Sequence, residues 1–305
     1  MNMNISKIIL PYICIFPALT FAQTSVTLQG NLTVADDPNT ESHVEGNTRI
    51  TGSLVLGSSI YTMAFGENSI ASGTQAQAWG YRSIAVGDWN TRAYGNYSIA
   101  YGWDSIAGVN GSTLEHCFAY GPGTRATGTR SVAMGSGAQA TGNYSVAMGA
   151  GPKASGGHSI SLGCYSEATG WMSAGIGSHT VANGDSSFAI GYNVQTKSHN
   201  AYAFGKNAIS NAWGSFAIGY DVSSDTYYQT TLGVNNLPIS GDKSKWVATN
   251  PLLVIGNGSA PENKSNALVM LKNGDTKFSG NIEAESIKVR TAKGGLPMGE
   301  FGLPN

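Results

Sequence analysis

The feature that most constrains this chain is a glycine that returns every 14 residues between residues 117 and 233. Most of these glycines close a pentapeptide such as Ser131-Val-Ala-Met-Gly135 or Ser187-Phe-Ala-Ile-Gly191. Halfway between them a second phrase recurs, as in Ala140-Thr-Gly142 and Ala168-Thr-Gly170. A fixed period this short predicts a solenoid, in which each repeat packs only on its neighbours.

Each repeat divides into two runs of about five residues joined by short links, which predicts two short β-strands per coil. In both strands Ser, Ala and Gly share one face, so these two small columns can face each other across a thin lumen. The opposite face of the second strand is mostly polar and is expected to face water. The sequence therefore predicts an all-β fold, a β-roll of stacked 14-residue coils.

The opposite face of the first strand is bulky and apolar. A coil that closes every 14 residues has no interior room for it, so we expect these side chains to point outward. Nine coils stacked at about 4.8 Å would give an apolar strip roughly 40 Å long and about 10 Å wide. Soluble monomers rarely expose such a patch, so we predict that the strip is buried against copies of the same chain. The predicted interface residues are Val132, Met134, Val146, Met148, Ile160, Leu162, Phe188, Ile190, Tyr202, Phe204, Phe216 and Ile218.

The repeat resembles a known family. Ser-Val-Ala-Met-Gly followed by Ala-x-Ala-Thr-Gly is similar to the head repeat of trimeric autotransporter adhesins, the YadA-like head, over roughly residues 62–233. The resemblance implies a left-handed parallel β-roll, with three rolls side by side in a homotrimer. It also implies a head that attaches to extracellular matrix proteins or to neighbouring cells. The family normally continues into a heptad stalk and a membrane anchor; neither pattern is visible after residue 289, which leaves the anchoring route open.

The rest of the chain divides around the roll. Residues 1–22 read as a secretory signal that is cleaved after Ala22, with an uncleaved anchor as the alternative, and they predict a secreted or bacterial cell-surface protein with no transmembrane segment after cleavage. Residues 23–59 are expected to form an N-terminal β segment and residues 60–233 the roll. Residues 234–290 are expected to form a C-terminal β cap or neck, followed by a flexible tail over residues 291–305.

The repeat spacing widens from 14 to 15 and then to 19 residues before Gly121. An insertion in a solenoid maps to a loop on one face, so residues 103–116 are expected to form such a loop. It is a candidate specificity feature; a loop that only absorbs the change of register is the alternative.

The cysteines predict a fold without disulfides. Cys14 leaves with the signal, Cys117 takes an inward serine position, and Cys164 falls at a turn three coils later. At about 4.8 Å per coil the last two lie more than about 10 Å apart, beyond the reach of a disulfide.

Composition and motifs argue against an enzyme. Charged residues make up 11% of the chain and the net charge is −1, which gives no basis for a nucleic-acid partner. The acids of the strict coils are scattered, and the five histidines show no metal-ligand spacing. We therefore predict no catalytic, cofactor or metal site, and we interpret His158 and His179 as solvated turn residues.

These observations favour a protein that acts by multivalent binding. The candidate ligand surface is the outer polar column with Arg125, Gln139, Lys153, Glu167 and Lys197, and the expected ligand is an extracellular matrix protein, a glycan or a cell-surface molecule. One alternative is a structural fibre or spacer with no ligand of its own. A weaker one is a glycan-degrading protein similar to phage tail fibres.

Overall fold

The computed structural model describes residues 53–56, 61–111 and 116–283. Every regular element within these residues is a β-strand, and none is a helix. The predicted secretory signal, the predicted C-terminal tail and most of the N-terminal β segment lie outside the described residues.

The described residues form 28 short strands. In chain order they are β1 (Leu54–Leu56), β2 (Met63–Ala64), β3 (Ile70–Ser72), β4 (Gln77–Ala78), β5 (Ile84–Val86), β6 (Arg92–Ala93), β7 (Ile99–Tyr101), β8 (Ile106–Ala107), β9 (Phe118–Tyr120), β10 (Arg125–Ala126), β11 (Val132–Ser136), β12 (Gln139–Ala140), β13 (Val146–Ala150), β14 (Lys153–Ala154), β15 (Ile160–Cys164), β16 (Glu167–Ala168), β17 (Ala174–Ser178), β18 (Val181–Ala182), β19 (Phe188–Tyr192), β20 (Gln195–Thr196), β21 (Tyr202–Lys206), β22 (Ile209–Ser210), β23 (Phe216–Tyr220), β24 (Ser223–Ser224), β25 (Thr230–Val234), β26 (Pro251–Asn257), β27 (Asn266–Leu271) and β28 (Thr276–Phe278).

Successive strands of the roll alternate between two sheets. Sheet A contains the odd-numbered strands from β1 to β25 and then β26, β27 and β28, while sheet B contains the even-numbered strands from β2 to β24. Each strand of the roll pairs in parallel with the strand two places later, so that Val132 pairs with Val146 and Gln139 with Lys153. The predicted all-β roll with a 14-residue coil is therefore confirmed.

The two strands of a coil differ in length. In the regular coils the sheet A strand has five residues, as in β11, whereas the sheet B strand has two, as in β12, where the sequence predicts about five. The N–H groups of Thr127 and Gly128 both donate to the carbonyl oxygen of Ala140, at 3.0 and 3.2 Å. Because one carbonyl accepts both bonds, the chain turns at this point and the second strand ends early.

The lumen holds mainly small side chains, as predicted; the larger buried ones include Val194 and Val222. Ala133 of β11 and Ala140 of β12 are completely buried, and so are the alanines at equivalent positions in most other coils. A column of serines fills the second inward position; the hydroxyl of Ser145 donates to the carbonyl oxygen of Gly142 at 2.6 Å. A buried hydroxyl that is hydrogen-bonded in this way avoids the penalty of an unpaired polar group.

Of the two cysteines in the roll, Cys117 lies where the period predicts, whereas Cys164, predicted at a turn, lies in a strand. Cys117 occupies the serine column and its Sγ donates to the carbonyl oxygen of Gly128 at 3.1 Å. Cys164 is the last residue of β15 and is half-buried. Both thiols are free, and three coils of about 4.8 Å separate them by more than a disulfide can span.

The recurring glycine marks the closest approach of successive coils. Gly149 has a φ of 129°, and a Cβ built on it would lie 2.1 Å from the carbonyl oxygen of Gly163 in the next coil. Both the positive φ and the nearby backbone require glycine at this position. The 14-residue spacing of glycine therefore reflects contact between coils as well as turn geometry.

Each coil also has two corner residues in the left-handed region that are often not glycine. Tyr144 and His158 lie there with φ of 58° and 57°, and Tyr165 and His179 with φ of 49° and 55°. This conformation costs a non-glycine residue about 1–2 kcal/mol. The rings of Tyr144 and His158 stack with centroids 4.8 Å apart, a contact that offsets part of this cost. The prediction that His158 and His179 are turn residues is confirmed.

The irregular spacings can be located in the first coils. Strand β8 pairs with β6 at a spacing of 14 residues and with β10 at a spacing of 19, so the extra residues lie between β8 and β9. They fall late in the predicted insertion of residues 103–116, and residues 112–115 lie outside the described residues. Strand β1, from the predicted N-terminal β segment, pairs with β3 and is the first strand of sheet A.

A side chain completes the free edge of sheet B. Asn236 is completely buried; its Oδ1 accepts a hydrogen bond from the N–H of Ser223 at 2.6 Å, and its Nδ2 donates to the carbonyl oxygen of Ser223 at 3.1 Å. The amide thus takes the place of a further strand on β24. Gln229 is also buried and accepts a bond from the N–H of Thr226 at 3.0 Å, closing the end of the lumen. An edge protected in this way is not free to pair with another chain.

Sheet A continues beyond the roll into β26, which pairs in parallel with β25, and then into the antiparallel strands β27 and β28. Lys272 follows β27, and its Nζ lies 5.7 Å from the ring centroid of Tyr227 and 5.3 Å from that of Trp246. This Nζ has no hydrogen-bond partner in the described part of the chain. Burial lowers the pKa of Lys272 from its usual 10.5, and the charge of Asp242 opposes that effect. The cation is therefore held by two rings that join the strands after the roll to its last coil.

Candidate binding surfaces

The outer face of sheet A carries the bulky apolar side chains; we call this face the apolar strip, defined by the positions equivalent to Val132 and Met134 in each coil. Ile160 and Ile218 are each 41% exposed, while Ala133 between the strip positions is fully buried. The residues predicted for a subunit interface all lie on this outer face, half-buried or exposed, and none lies in the lumen. These are Val132, Met134, Val146, Met148, Ile160, Leu162, Phe188, Ile190, Tyr202, Phe204, Phe216 and Ile218.

The apolar strip is continuous from coil to coil. Phe188 stacks on Tyr202 with ring centroids 5.5 Å apart, and Tyr202 stacks on Phe216 at 4.6 Å. The strip continues onto β26, where Leu253 pairs with Thr230 and Ile255 pairs with Leu232. It therefore runs along the whole roll and onto the strands that follow.

The predicted ligand surface lies on the outer face of sheet B, where Arg125, Gln139, Lys153 and Glu167 form one column across successive strands. Two ion pairs compensate most of its charge. The Nη2 of Arg125 is 2.9 Å from the Oδ2 of Asp104, and the Nζ of Lys153 is 3.3 Å from the Oε1 of Glu167. An exposed pair of this kind is worth little to stability, but it leaves the column nearly neutral.

The fifth predicted ligand residue, Lys197, is not in this column. It follows β20 and lies one column across, on the row where other coils carry Thr141 and Thr169. The structure therefore brings four of the five predicted residues together and separates the fifth.

The same row contains a surface that the sequence analysis did not identify. In the first three coils it carries Phe65, Trp79 and Tyr94, which we call the aromatic row. Phe65 and Trp79 stack with centroids 4.0 Å apart, and Tyr94 lies 6.1 Å from Trp79. Phe65 is 52% and Trp79 is 40% exposed. The signal is present in the sequence, because an aromatic residue replaces the threonine of the Ala-Thr-Gly phrase in each of these coils.

A shallow open depression of about 360 Å³ lies beside the aromatic row, lined by Tyr61, Gln75, Gln77, Asn90 and Arg92. The indole Nε1 of Trp79 donates to the Oε1 of Gln77 at 3.2 Å, which connects the row to the depression. The guanidinium of Arg92 lies 6.0 Å from the ring centroid of Tyr94. Its Nε is buried and has no hydrogen-bond partner among the described residues.

The described acids and histidines do not converge on a site. Within residues 53–56, 61–111 and 116–283 no group of three or more His, Cys, Asp or Glu side chains could hold a metal ion. Asp185 lies 3.3 Å from His199, and Asp221 lies 2.7 Å from Lys264, so these scattered carboxylates have local partners. Nor does the described part of the chain contain a helix of the length and apolarity that crossing a membrane requires.

Together these features define a parallel β-solenoid whose chemistry is spread over flat outer faces. The sequence model of the YadA head domain repeat, which describes two copies of the repeat, matches residues 64–88, 126–151, 168–193 and 197–221. The chain belongs to the YadA head family through its β-roll, and the resemblance seen in the sequence is confirmed for this region. A comparison with curated proteins gives no match.

Proposed function

We propose that this protein is the head of a homotrimeric adhesin, secreted or held on a bacterial cell surface, that binds an extracellular matrix protein, a glycan or a neighbouring cell. The observation that carries the proposal is the apolar strip. The lumen is filled mainly by alanine, serine and threonine with a few valines, so the bulky residues of sheet A stay outside a single chain. A covered strip requires further copies of the chain or another partner.

The size of the strip supports burial between subunits. Thirteen strands of sheet A belong to the roll, and at about 4.8 Å per strand they extend over roughly 60 Å. With two outward positions per strand, most of them apolar, the strip exceeds the few hundred Å² that soluble monomers usually expose. Three rolls around one axis would cover all three strips, and a closed ring of this kind leaves no open interface.

Such a trimer would place sheet B on the outside. Each surface on sheet B would then be present three times, at fixed separations on a rigid support. Linked copies that engage together can raise apparent affinity by about 10²–10⁴ without any new contact. Shallow surfaces like those of sheet B could therefore bind usefully, and no catalytic step is part of the proposal.

Light scattering on the purified protein tests the assembly. We expect a mass three times that of one chain, with Ile190→Glu in the apolar strip reducing it to the mass of one chain. Gln139→Glu, on the exposed face of sheet B, is the matched control and should leave the mass unchanged. A folded wild-type protein with the mass of a single chain would contradict the trimer.

Binding is tested on immobilised matrix proteins, glycans and whole cells. We expect retention by at least one of these, and apparent affinity at least tenfold lower for the Ile190→Glu monomer than for the trimer. The charge compensation at Arg125 and Lys153 favours a second candidate, in which the later coils act only as a spacer. A trimer that binds nothing in this panel would support the spacer and contradict the adhesin.

A further inference from the structure

We propose that the aromatic row and its adjoining depression form a binding site for an acidic glycan, a sugar chain bearing a carboxylate. The proposal rests on the adhesive function given above, but it does not depend on the number of subunits. It assigns the ligand to the first three coils rather than to the polar column of the strict coils.

The position of the aromatic row argues against a purely structural role. Thr141 and Thr169 occupy the equivalent places in the later coils, so the backbone of this roll does not need a large ring there. Phe65 and Trp79 are exposed although they fill no lumen and lie outside the apolar strip. Retained exposed aromatic surface next to polar groups is typical of a recognition site.

The groups that the site exposes carry positive charge or partial positive charge. Phe65 and Trp79 stack, so each covers one ring face of the other and both present ring edges, which carry the positive part of the aromatic quadrupole. Arg92 supplies the only formal charge among the residues that line the depression. It makes no ion pair within the described residues, and its buried Nε lacks an acceptor. An external carboxylate would compensate this guanidinium through a charge-assisted hydrogen bond.

Two arginines of sheet B differ in whether they have an acidic partner. Arg92 and Arg125 belong to the same column of sheet B, two rungs apart, since both pair with Ile106. Arg125 is neutralised by Asp104 at 2.9 Å, whereas Arg92 has no acidic partner in the described chain. The same column therefore contains one arginine committed to the fold and one available for an anion.

The remaining polar groups fit a sugar better than an acidic peptide. Gln75, Gln77 and Asn90 surround the depression, and a carboxamide can both donate and accept hydrogen bonds. The Nδ2 of Asn90 already donates to the Oδ1 of Asp104, and the Oε1 of Gln77 accepts from Trp79. The Oδ1 of Asn90 and the amide of Gln75 remain for a ligand. Adjacent sugar hydroxyls also donate and accept, so planar amides match them. An acidic peptide segment would bring several charges, and the depression holds a single cation. Its open shape suits one or two terminal sugar units on a surface.

The test uses the full-length secreted protein and three immobilised probes: 3′-sialyllactose, a hyaluronan oligosaccharide and lactose. The first two carry a carboxylate on a sialic acid and on a uronic acid, so they distinguish the two sources; lactose is neutral. We expect retention on at least one acidic probe and at least tenfold weaker retention on lactose. Arg92→Gln and Trp79→Thr should each reduce retention at least tenfold, the second by installing the residue of later coils.

Arg130→Gln, at an exposed corner of a later coil, is the matched control and should leave retention within twofold of wild type. Light scattering and thermal unfolding of every variant separate loss of the site from loss of the assembly or of the fold. The proposal is overturned if no acidic probe is retained, if lactose is retained equally, or if Arg130→Gln weakens binding as much as Arg92→Gln. Equal retention on an acidic peptide such as poly-glutamate would also overturn it.

Discussion

The first coils and the later coils of the roll follow the same backbone path but differ in regularity and in what they expose. Strands β3, β5 and β7 have three residues and their repeats are interrupted, whereas β11 to β25 in sheet A have five residues at a constant spacing. The first coils carry aromatic rings where the later ones carry polar or charged residues such as Thr141, Asn183 and Lys197. Residues that repeat in every coil therefore serve the stacking of coils. Residues that depart from the repeat, such as those of the aromatic row, form surfaces that stacking does not require.

The largest expected effect is a loss of stability in the later coils, whose strands repeat at a constant spacing. Gly149→Val would place a Cβ at a φ of 129° and 2.1 Å from the carbonyl oxygen of Gly163, so adjacent coils would have to separate. We expect a loss of about 4 kcal/mol or more of unfolding free energy, at the upper end for single substitutions. Urea unfolding followed by circular dichroism measures it.

Gly137→Asn is the matched control for Gly149→Val. Gly137 has a φ of 64° with no atom near a built Cβ, and Asn193 and Asn207 occupy the equivalent corner in other coils. Its cost should stay at about 1 kcal/mol. A similar loss in both variants would show that backbone conformation, rather than contact between coils, explains the glycine spacing.

A smaller loss of stability is expected at the last coil of the roll. Asn236→Ala removes the amide that bonds both backbone groups of Ser223. The carbonyl oxygen keeps the bond from the hydroxyl of Thr231 at 3.2 Å, whereas the N–H is left without a partner beside a small cavity. We expect a loss of about 2 kcal/mol, the cost of one unsatisfied backbone group. Urea unfolding gives the magnitude, and faster hydrogen exchange at Ser223 would localise it. Thr141→Ala, on the exposed face of sheet B, should change stability by less than about 0.5 kcal/mol.

The irregular spacing of the first coils can be removed by a deletion. Deleting residues 110–114 shortens the spacing between β7 and β9, and between β8 and β10, from 19 residues to 14. A shorter connection changes closure entropy only slightly. We expect unfolding free energy to change by about 1 kcal/mol or less. Thermal unfolding checks this, and glycan retention on the deleted protein shows whether the loop contributes to recognition. A variant that no longer folds would mean that the loop is part of the packed structure.

The smallest expected effect concerns pH. Burial lowers the pKa of Lys272 below its unfolded value of 10.5, so the folded state binds this proton less readily than the unfolded chain does. The contribution of this group to stability should therefore rise as pH increases from the folded pKa towards 10.5. Melting temperatures of wild type and Lys272→Met between pH 8 and 11 measure the difference. A wild-type stability that falls relative to the variant in this range would contradict the assignment.

Much of the fold is predictable because the same 14-residue pattern applies to every coil. Alternation around Ala133 fixes which residues face the lumen, and a 14-residue coil leaves the bulky residues outside. The length of the second strand was not predictable, since it depends on the shared carbonyl of Ala140. The side-chain completion of β24 by Asn236 was not predictable either, because it depends on how the chain returns across the last coil.

The binding surfaces were harder to predict for a different reason. Arg125 and Asp104 are 21 residues apart, and only the interrupted register brings them together, so the sequence could not show that the charged column neutralises itself. The aromatic row was visible in principle. Phe65 and Trp79 lie in the first repeats, outside the strict period of residues 117–233, so that period does not assign them a place on the coil.

The parallel stacking of identical coils has a consequence for how such a protein can change. The strand edge of one coil, at Gly149 and its neighbours, presents the same backbone hydrogen-bond donors and acceptors as the equivalent edge of the next coil. Gaining or losing one 14-residue unit would therefore alter the reach of the molecule by about 4.8 Å while creating no mismatched junction. Natural variants of this head should accordingly differ in height by whole rungs, with both ends kept intact.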